Sequence, residues 1–439
     1  MGSVMSLDRF GGWNGITSRA TGFFRIEEID GRWWFIDPDG NAFIALGVQH
    51  VGSSLLRFPW NKHIWDIKYK IVEKFYTSAR EEILDWGFNC FGFYGYMPGL
   101  PYNRLIRFAP ISGYLAGANF REDSLRLPKD NFPDVFSREW REQCRIRVEV
   151  CSSLADDWLL MGYWIGDVPV WDEGKYWIEE IVRKNGAGAI RLIELLRNRY
   201  NDNINEFNEV YGTKISSFED ITEIYPLDEN RIKNHERVYA DEDAFMRIVA
   251  RRYYHVATSS IRRFDRNHLI FGDAYDMNTV GNLIRGCQIP DFVLEEARPY
   301  TDVLGLQGYH LEPLDVHLGN IRRWQRIAQK PVILTDLSYP TPPMSQMPHP
   351  YGPRMNSQKE RGEKHREYFN AIFNMPFVIG WYWCGYIDQR RRLDNPLEKD
   401  RQHSGLKSEL DEPYTEVVDM IRETNKTLYD VASKAKRLS

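Results

Sequence analysis

Short apolar runs recur along the chain from about residue 43 onward, and polar stretches with helical spacing separate them. Runs of this length are typical of strands buried on both faces, and alternation with helices favours a parallel sheet. Eight such strands with helical spacers predict an α/β fold, a (β/α)8 TIM barrel. The predicted strands are Phe43–His50, Gly87–Gly92, Arg104–Pro110, Leu159–Asp167, His268–Asp273, Val303–Tyr309, Val332–Asp336 and Phe377–Trp383.

Turn residues add an N-terminal β-hairpin to this barrel. The segment Gly31–Asn41 is an apolar strand that ends in Asp-Pro-Asp-Gly, and Pro and Gly stand where a tight turn needs them. The hairpin leads directly into the first barrel strand. Farther along, Ser78 and Glu81 have the spacing of a capping box, which predicts that a helix begins there.

A long polar stretch follows the fourth strand. Residues 172–262 carry helical patterns such as Ile190–Leu196, whose apolar spacing suits one buried face, and they predict a helical insertion. No low-complexity linker divides the chain. We therefore expect one domain over residues 20–425, with residues 1–19 and 426–439 as terminal extensions.

Composition excludes several classes of partner. The formal net charge of −5 is small for 439 residues, so we expect neither nucleic acid nor a membrane as partner. There is no apolar run of about 18 residues and no signal peptide at the start, and the five cysteines are odd in number and lack metal-ligand spacing. These features predict a cytoplasmic protein without a cofactor.

Two carboxylates stand at the downstream ends of predicted strands. Asp167 ends the fourth strand and Asp336 ends the seventh. In a parallel barrel this end of the strands carries the chemistry, and hydrolysis of a glycosidic bond needs a pair of carboxyl groups facing a cleft. The alternative is that each Asp caps the helix or loop after its strand.

Other side chains near strand ends suit the recognition of sugar hydroxyl groups. Aromatic residues make up 14% of the chain, and an aromatic ring packs well on the apolar face of a sugar, although a large core explains them equally. Three consecutive arginines, residues 390–392, suit a sulfate or carboxylate, or else form a solvated loop. The substrate-binding candidates are His50, Asn89, Asp273, Tyr309, His310, Trp381, Trp383, Asp388 and Arg390.

Three motifs together resemble a known group of enzymes. They are Gly31–Gly40 followed by a barrel strand, the segment Tyr200–Ile221, and the tail His403–Tyr414. The chain is similar here to β-agarases and to β-galactosidase-like enzymes, which belong to the large clan of retaining (β/α)8 glycoside hydrolases. The resemblance implies a glycosidase that acts on oligosaccharides, either agar-type or acidic glycan fragments.

The chain departs from that clan at its catalytic positions. The clan carries Asn-Glu after strand four and Glu after strand seven, where this chain has Gly166-Asp167 and Thr335-Asp336. Shortening both side chains widens the gap of about 5–5.5 Å that retention requires, by roughly 2–3 Å, into the range of inverting enzymes. We therefore hypothesise an inverting pair, with Asp167 as general acid and Asp336 as the base that activates water.

The resemblance also assigns supporting roles. Tyr309 stands where the clan has a tyrosine that hydrogen-bonds the nucleophile, and Trp381 or, preferably, Trp383 would form the floor of the sugar site. Because these two tryptophans alternate on strand eight, both face one side of it, and filling the core is the other interpretation.

Several alternatives stay open. Glu173, Glu295 or Glu296 could supply the acid, or the protein could bind sugar without hydrolysing it. A metal-dependent hydrolase on the same barrel would need His-x-His after strand one, which is missing. The oligomeric state is open as well, with the helical insertion as a candidate contact in a homo-oligomer.

Overall fold

The protein is described here from a computed structural model, which covers residues 6–93, 99–108, 133–167, 171, 178–179, 181–182, 185–277, 290–310, 312–339, 355–388 and 404–435. Eight parallel strands close into one barrel in chain order, and the last strand pairs with the first. This confirms the predicted TIM barrel. The barrel strands are β5 (Ala45–Gln49), β6 (Cys90–Phe91), β7 (Tyr102–Leu105), β8 (Leu160–Asp167), β9 (Leu269–Asp276), β10 (Leu304–Gln307), β11 (Val332–Leu337) and β12 (Val378–Cys384).

The predicted N-terminal hairpin is also confirmed and is part of a four-stranded antiparallel sheet. Its strands are β1 (Trp13–Thr17), β2 (Arg25–Ile29), β3 (Arg32–Ile36) and β4 (Asn41–Phe43), in the order β1-β4-β3-β2. The predicted turn lies between β3 and β4, where Asp37 accepts hydrogen bonds from the backbone of Asp39 and Asn41. Gly40 has φ 97°, a conformation that favours glycine.

This small sheet covers the end of the barrel where the strands begin. Arg32, only 2% exposed, donates hydrogen bonds to the carbonyl groups of Phe373, Met375 and Val378, at the start of β12. The Tyr429 hydroxyl donates to the carbonyl of Gly11. Residues from both predicted terminal extensions are thus packed on the floor of the barrel.

Helices surround the barrel. Two short 3-10 helices, Ser53–Leu56 and Phe218–Glu223, accompany them. The α-helices are α1 (Lys62–Lys68), α2 (Val72–Asp85), α3 (Arg138–Arg147), α4 (Cys151–Leu154), α5 (Ala187–Arg199), α6 (Ile204–Tyr211), α7 (His235–Arg262), α8 (Asp291–Ala297), α9 (Leu314–Ala328), α10 (Gln358–Phe373), α11 (Thr415–Asn425) and α12 (Leu428–Ala432). Helices α5, α6 and α7 lie in the segment predicted as a helical insertion. Among the described helices, none has the length and apolar character needed to cross a membrane.

One predicted helix start was wrong. Helix α2 begins at Val72, so Ser78 lies inside it and caps nothing. The buried positions Phe75, Ala79 and Ile83 follow one another at intervals of four residues. Because this apolar stripe packs on the barrel, it extends the helix upstream of the capping pattern.

The barrel interior and the layer between barrel and helices form separate apolar clusters. The alternation of side chains along each strand decides which cluster a residue joins. The interior cluster contains Phe35, Phe43, Phe93, Met161, Trp164, Phe271, Ile333, Ile379 and Tyr382, among others. The outer cluster packs the strands on the helices.

A buried carboxylate ties β8 to the start of β9. Asp265 accepts a hydrogen bond from the Tyr163 hydroxyl at 2.7 Å, and Nδ1 of His268 lies 2.6 Å from it. Burial alone would raise the pKa of Asp265, but the hydrogen bonds from His268 and Tyr163 outweigh burial and lower the pKa to about 2.

This lowered pKa predicts an acid-sensitive contribution to stability. A carboxylate whose pKa falls on folding stabilises the protein above its unfolded value of 3.8 and loses that effect as the pH falls toward 2. We expect Asp265→Asn to lower the free energy of unfolding by about 2 kcal/mol at pH 7. Urea titrations should show this difference shrinking between pH 4 and pH 2. The control Asp66→Asn removes an exposed ion pair with Lys62 and should change stability by less than about 1 kcal/mol.

Candidate active site

The two predicted carboxylates meet at the mouth of the barrel. Asp167 ends β8, and Asp336 lies next to the last residue of β11. Nε2 of Gln307, the last residue of β10, donates to Oδ1 of Asp167 at 2.8 Å and to Oδ2 of Asp336 at 3.2 Å. Because one nitrogen reaches both oxygens within hydrogen-bond distance, the two oxygens lie no more than about 6 Å apart.

A local irregularity of β11 points Asp336 inward. Asp336 has φ 51°, in the left-handed region, and the pairing of β11 with β12 shifts register between Leu334 and Leu337. A bulge of this kind re-aims a side chain, and a left-handed Asp costs on the order of 1 kcal/mol or more. Leu334 and Leu337, which are three residues apart and would face opposite sides of a regular strand, therefore both pack in the outer cluster, and Asp336 between them faces the mouth.

The two carboxylates have different electrostatic surroundings. The guanidinium of Arg107 lies 3.7 Å from Oδ2 of Asp167 and favours the charged form of that group. Asp336 is 4% exposed. Burial raises the pKa of Asp336 well above its ordinary value, and the negative charge of Asp167 raises the pKa further. Of the two carboxyl groups, Asp336 is therefore the one whose surroundings favour the protonated form.

A histidine and a thiol lie beside Asp336. A ring nitrogen of His50, a carboxylate oxygen of Asp336 and Sγ of Cys384 lie within 4.8 Å of one another. Burial lowers the pKa of His50 to about 4, so its ring is neutral at pH 7. Burial and the charge of Asp336 raise the pKa of the Cys384 thiol, to which the Tyr309 hydroxyl donates a hydrogen bond. Of the predicted substrate-binding residues, the structure brings His50 and Tyr309 to the carboxylates.

The expected tryptophan floor was wrong. Trp381 and Trp383 face the helices, and each is 1% exposed. Their rings pack against His365 of α10 at 4.7 Å and 5.7 Å between centroids. Between them, Tyr382 faces the interior, and its hydroxyl accepts a hydrogen bond from Asn103. The alternation was predicted correctly, but the opposite set of residues faces inward.

Two more of the predicted substrate-binding residues have structural roles within the barrel. Asn89 precedes β6, where its amide donates to the carbonyl of Ile44 and accepts from the backbone N–H of Leu46, so it lies at the end of the barrel away from the mouth. Asp273 is fully buried and accepts hydrogen bonds from Tyr253 and Tyr254 of α7. Burial raises the pKa of Asp273 to about 7, and it faces the helix layer.

The polar residues predicted after β10 and β12 have their own structural partners. His310 stacks on His317 of α9 at 4.4 Å, and its Nδ1 lies 3.0 Å from the carbonyl of Glu312. Asp388 accepts hydrogen bonds from the backbone N–H of Gly405 and from the hydroxyl of Tyr414, and so ties the segment that follows β12 to residues 404–414. Arg390, with the rest of the arginine run, lies outside the described residues.

The alternative acids do not reach the carboxylates within the described part of the chain. Glu295 pairs with Arg247 at 2.6 Å and Glu296 with Arg251 at 2.7 Å, so α8 is held to α7. Glu173 lies outside the described residues.

Three residues of the site were missed in the sequence: Gln307, Cys384 and Arg107. The first two are polar residues at the ends of apolar strands, which is the same signal that identified Asp167 and Asp336. Arg107 follows β7, and the signal that could have identified it is a basic residue near the end of a barrel strand, on the side of the barrel where Asp167 lies.

Gln307 stabilises the carboxylate pair, because its amide nitrogen donates a hydrogen bond to each of the two groups. Gln307→Glu would remove the shared N–H donor and place a third carboxylate between the other two. We expect this variant to lose about 3 kcal/mol of unfolding free energy at pH 7 and to recover part of the loss at pH 5, as measured by urea unfolding. Gln143→Glu, on the exposed face of α3, is the matched control and should change stability by less than about 0.5 kcal/mol. Equal behaviour of both variants would contradict the bridging role.

Comparison with known proteins finds agarases in both sequence and structure. The chain is 22% identical to β-agarase B from Vibrio sp. (strain JT0107) over 96% of its own length, and it spans half the length of that relative. No model of a known protein family matches the chain.

Two solved structures share the fold over almost the whole chain. An exo-β-agarase has a TM-score of 0.77 at 19% identity, over 98% of this chain and 68% of that one. The agarase AgWH50C has a TM-score of 0.76 at 18% identity, over 97% of this chain and 68% of that one. The resemblance to β-agarases that the sequence motifs predicted is therefore confirmed.

Proposed function

We propose that the protein is a glycoside hydrolase that cleaves agar-type oligosaccharides, with Asp167 and Asp336 as its carboxyl pair. The observation that carries the proposal is the Gln307 bridge, whose amide nitrogen lies 2.8 Å from one carboxylate and 3.2 Å from the other and so holds both at one mouth. A pair of carboxyl groups this close is what a glycosidic bond needs on its two sides. The sequence similarity to β-agarase B over 96% of the chain supports agar-type substrates.

The surroundings of the two carboxylates suggest how they divide the work. Arg107 favours the charged form of Asp167, whereas burial and the negative charge of Asp167 favour the protonated form of Asp336. We therefore assign Asp336 as the acid that protonates the leaving oxygen and Asp167 as the anionic partner at the anomeric carbon. These roles are the reverse of those expected from the strand positions.

The spacing also favours one stereochemical course. Retaining enzymes hold their carboxyl groups about 5–5.5 Å apart, and inverting enzymes about 6.5–9.5 Å. Two oxygens that share the Gln307 amide group as donor leave little room for a water molecule between them. The proposal is therefore retention through a glycosyl ester on Asp167, in place of the inversion expected from the shortened side chains.

Activity measurements on the two carboxylates test the proposal. On agaro-oligosaccharides and aryl β-galactosides, Asp167→Asn and Asp336→Asn should each lower kcat/KM by about 10²–10⁴-fold, because each removes an acid, base or nucleophile. Asp39→Asn, which breaks the exposed pair with Arg9, is the control and should keep full activity. If calorimetry shows that wild type binds these sugars without turnover, the protein is a sugar-binding relative that has lost catalysis.

The assignment of roles has its own test, by NMR of the first-formed product. Wild type should release the anomer with the configuration of the substrate. With an activated aryl glycoside and added azide, Asp336→Ala should give a glycosyl azide of retained configuration and Asp167→Ala one of inverted configuration. An inverted product from wild type would instead support the water-activating pair, and exchanged azide products would exchange the two roles.

A further inference from the structure

Three side chains with metal-ligand atoms converge from three strand ends. His50 follows β5, Asp336 lies in the bulge of β11, and Cys384 ends β12. Their ligand atoms lie within 4.8 Å of one another, and Asp336 and Cys384 are 4% and 2% exposed. An imidazole, a carboxylate and a thiol are together the ligand types that bind zinc-like cations.

A second observation points to a ligand at this place. Oδ1 of Asp336 is buried and accepts no hydrogen bond from an N–H or O–H group in the part of the chain that the structure describes. The donor beside this carboxyl group is the Cys384 thiol, and a thiol is a weak donor. A buried oxygen without a strong donor is costly, and native proteins satisfy nearly all such atoms. The other oxygen, Oδ2, already accepts from Gln307. Oδ1 is thus the oxygen that remains for a cation.

We propose that His50, Asp336 and Cys384 form a three-ligand site for a divalent cation of the zinc class. Three protein ligands leave the fourth tetrahedral position open for water or a substrate oxygen, as in catalytic zinc sites. Bond lengths of about 2.0–2.3 Å place ligand atoms about 3.4 Å apart around zinc, so the three side chains need to close by about 1 Å or more where they are farthest apart. The sequence has no metal-ligand motif at this site, because the three ligands come from three different strands that are far apart along the chain.

Binding releases protons from two of the ligands. The Cys384 thiol loses its proton to solvent as the bond between Sγ and the metal forms, and a protonated Asp336 does the same as its oxygen binds, whereas His50 binds through its neutral ring. No electron is transferred, because zinc has no redox chemistry in proteins.

Occupancy would also act on the carboxyl pair. This part of the inference rests on the proposed function. An Asp336 carboxylate bound to a cation cannot carry the proton that the leaving oxygen needs, so the cation would inhibit hydrolysis. The site would thereby make the glycosidase sensitive to free zinc.

Cobalt serves as a visible probe of the site in the full chain. Wild type should bind one Co²⁺ with a thiolate-to-cobalt absorption band in the near ultraviolet, and calorimetry should show that Zn²⁺ displaces it. Cys384→Ser should lose the band, and His50→Ala should weaken binding at least tenfold. Cys144→Ser is the matched control, because that buried thiol lies on α3 and outside the cluster.

The outcomes of the binding experiment are decisive. Absence of Co²⁺ and Zn²⁺ binding by wild type would overturn the proposal, and so would a thiolate band that persists in Cys384→Ser but disappears in Cys144→Ser. Circular dichroism of each variant shows whether a loss of binding comes from unfolding. If Cys384→Ser is unfolded, the test rests on His50→Ala, and unchanged metal binding by a folded His50→Ala variant would overturn the proposal.

A separate activity measurement tests inhibition. Zn²⁺ should lower the glycosidase activity of wild type, EDTA should restore it, and Cys384→Ser should need at least tenfold more Zn²⁺ for the same fractional inhibition. Because the cobalt experiment needs no turnover, a protein that binds the cation but cleaves no sugar even after EDTA has removed the metal would refute the proposed function and leave the metal site standing.

Discussion

Hydrogen bonding between β12 and β5 closes the sheet, and the arrangement at the mouth depends on that closure. The pairing runs from Gly380 with Ala45 to Cys384 with Gln49, so that the end of β12 lies directly beside the end of β5. His50 and Cys384 become neighbours only through this register. An open sheet with the same strands would leave the two residues at opposite edges.

The mouth of the barrel brings together several buried ionisable side chains, an arrangement that is costly in a folded protein. Two carboxylates share one amide donor, one guanidinium lies on one side only, and a neutral histidine and a thiol fill the other side. Removing charges from water is costly, and so is the left-handed backbone at Asp336 and at His50. The dense aromatic interior and the outer apolar layer offset these costs. The stability that the site costs is therefore supplied by the packing of the rest of the barrel.

The sequence predicted where strands end better than which way side chains point. Apolar runs located seven of the strands closely, whereas the third, predicted from Arg104 to Pro110, is Tyr102–Leu105 in the structure. Polar residues at the strand ends located Asp167 and Asp336. The inward and outward faces could not be read, because strands buried on both faces lack alternation of polarity, and a shift of one residue reverses them. Register shifts in the pairings of β8 with β9 and of β11 with β12 do so here, and Asp273 and Trp383 accordingly face the helices. Gln307 was missed because an amide is uncharged and is neither an acid nor a base, so its position at a strand end does not point to catalysis as a carboxylate does.

The small N-terminal sheet makes the two ends of the barrel different. Arg32 fastens it under the barrel, and the rings of Phe35 and Phe43 fill the lower interior beside Phe271. Aromatic side chains of the described residues therefore close the end of the barrel where the strands begin. This leaves the opposite end, where Asp167 and Asp336 lie, for the exchange of small molecules with solvent.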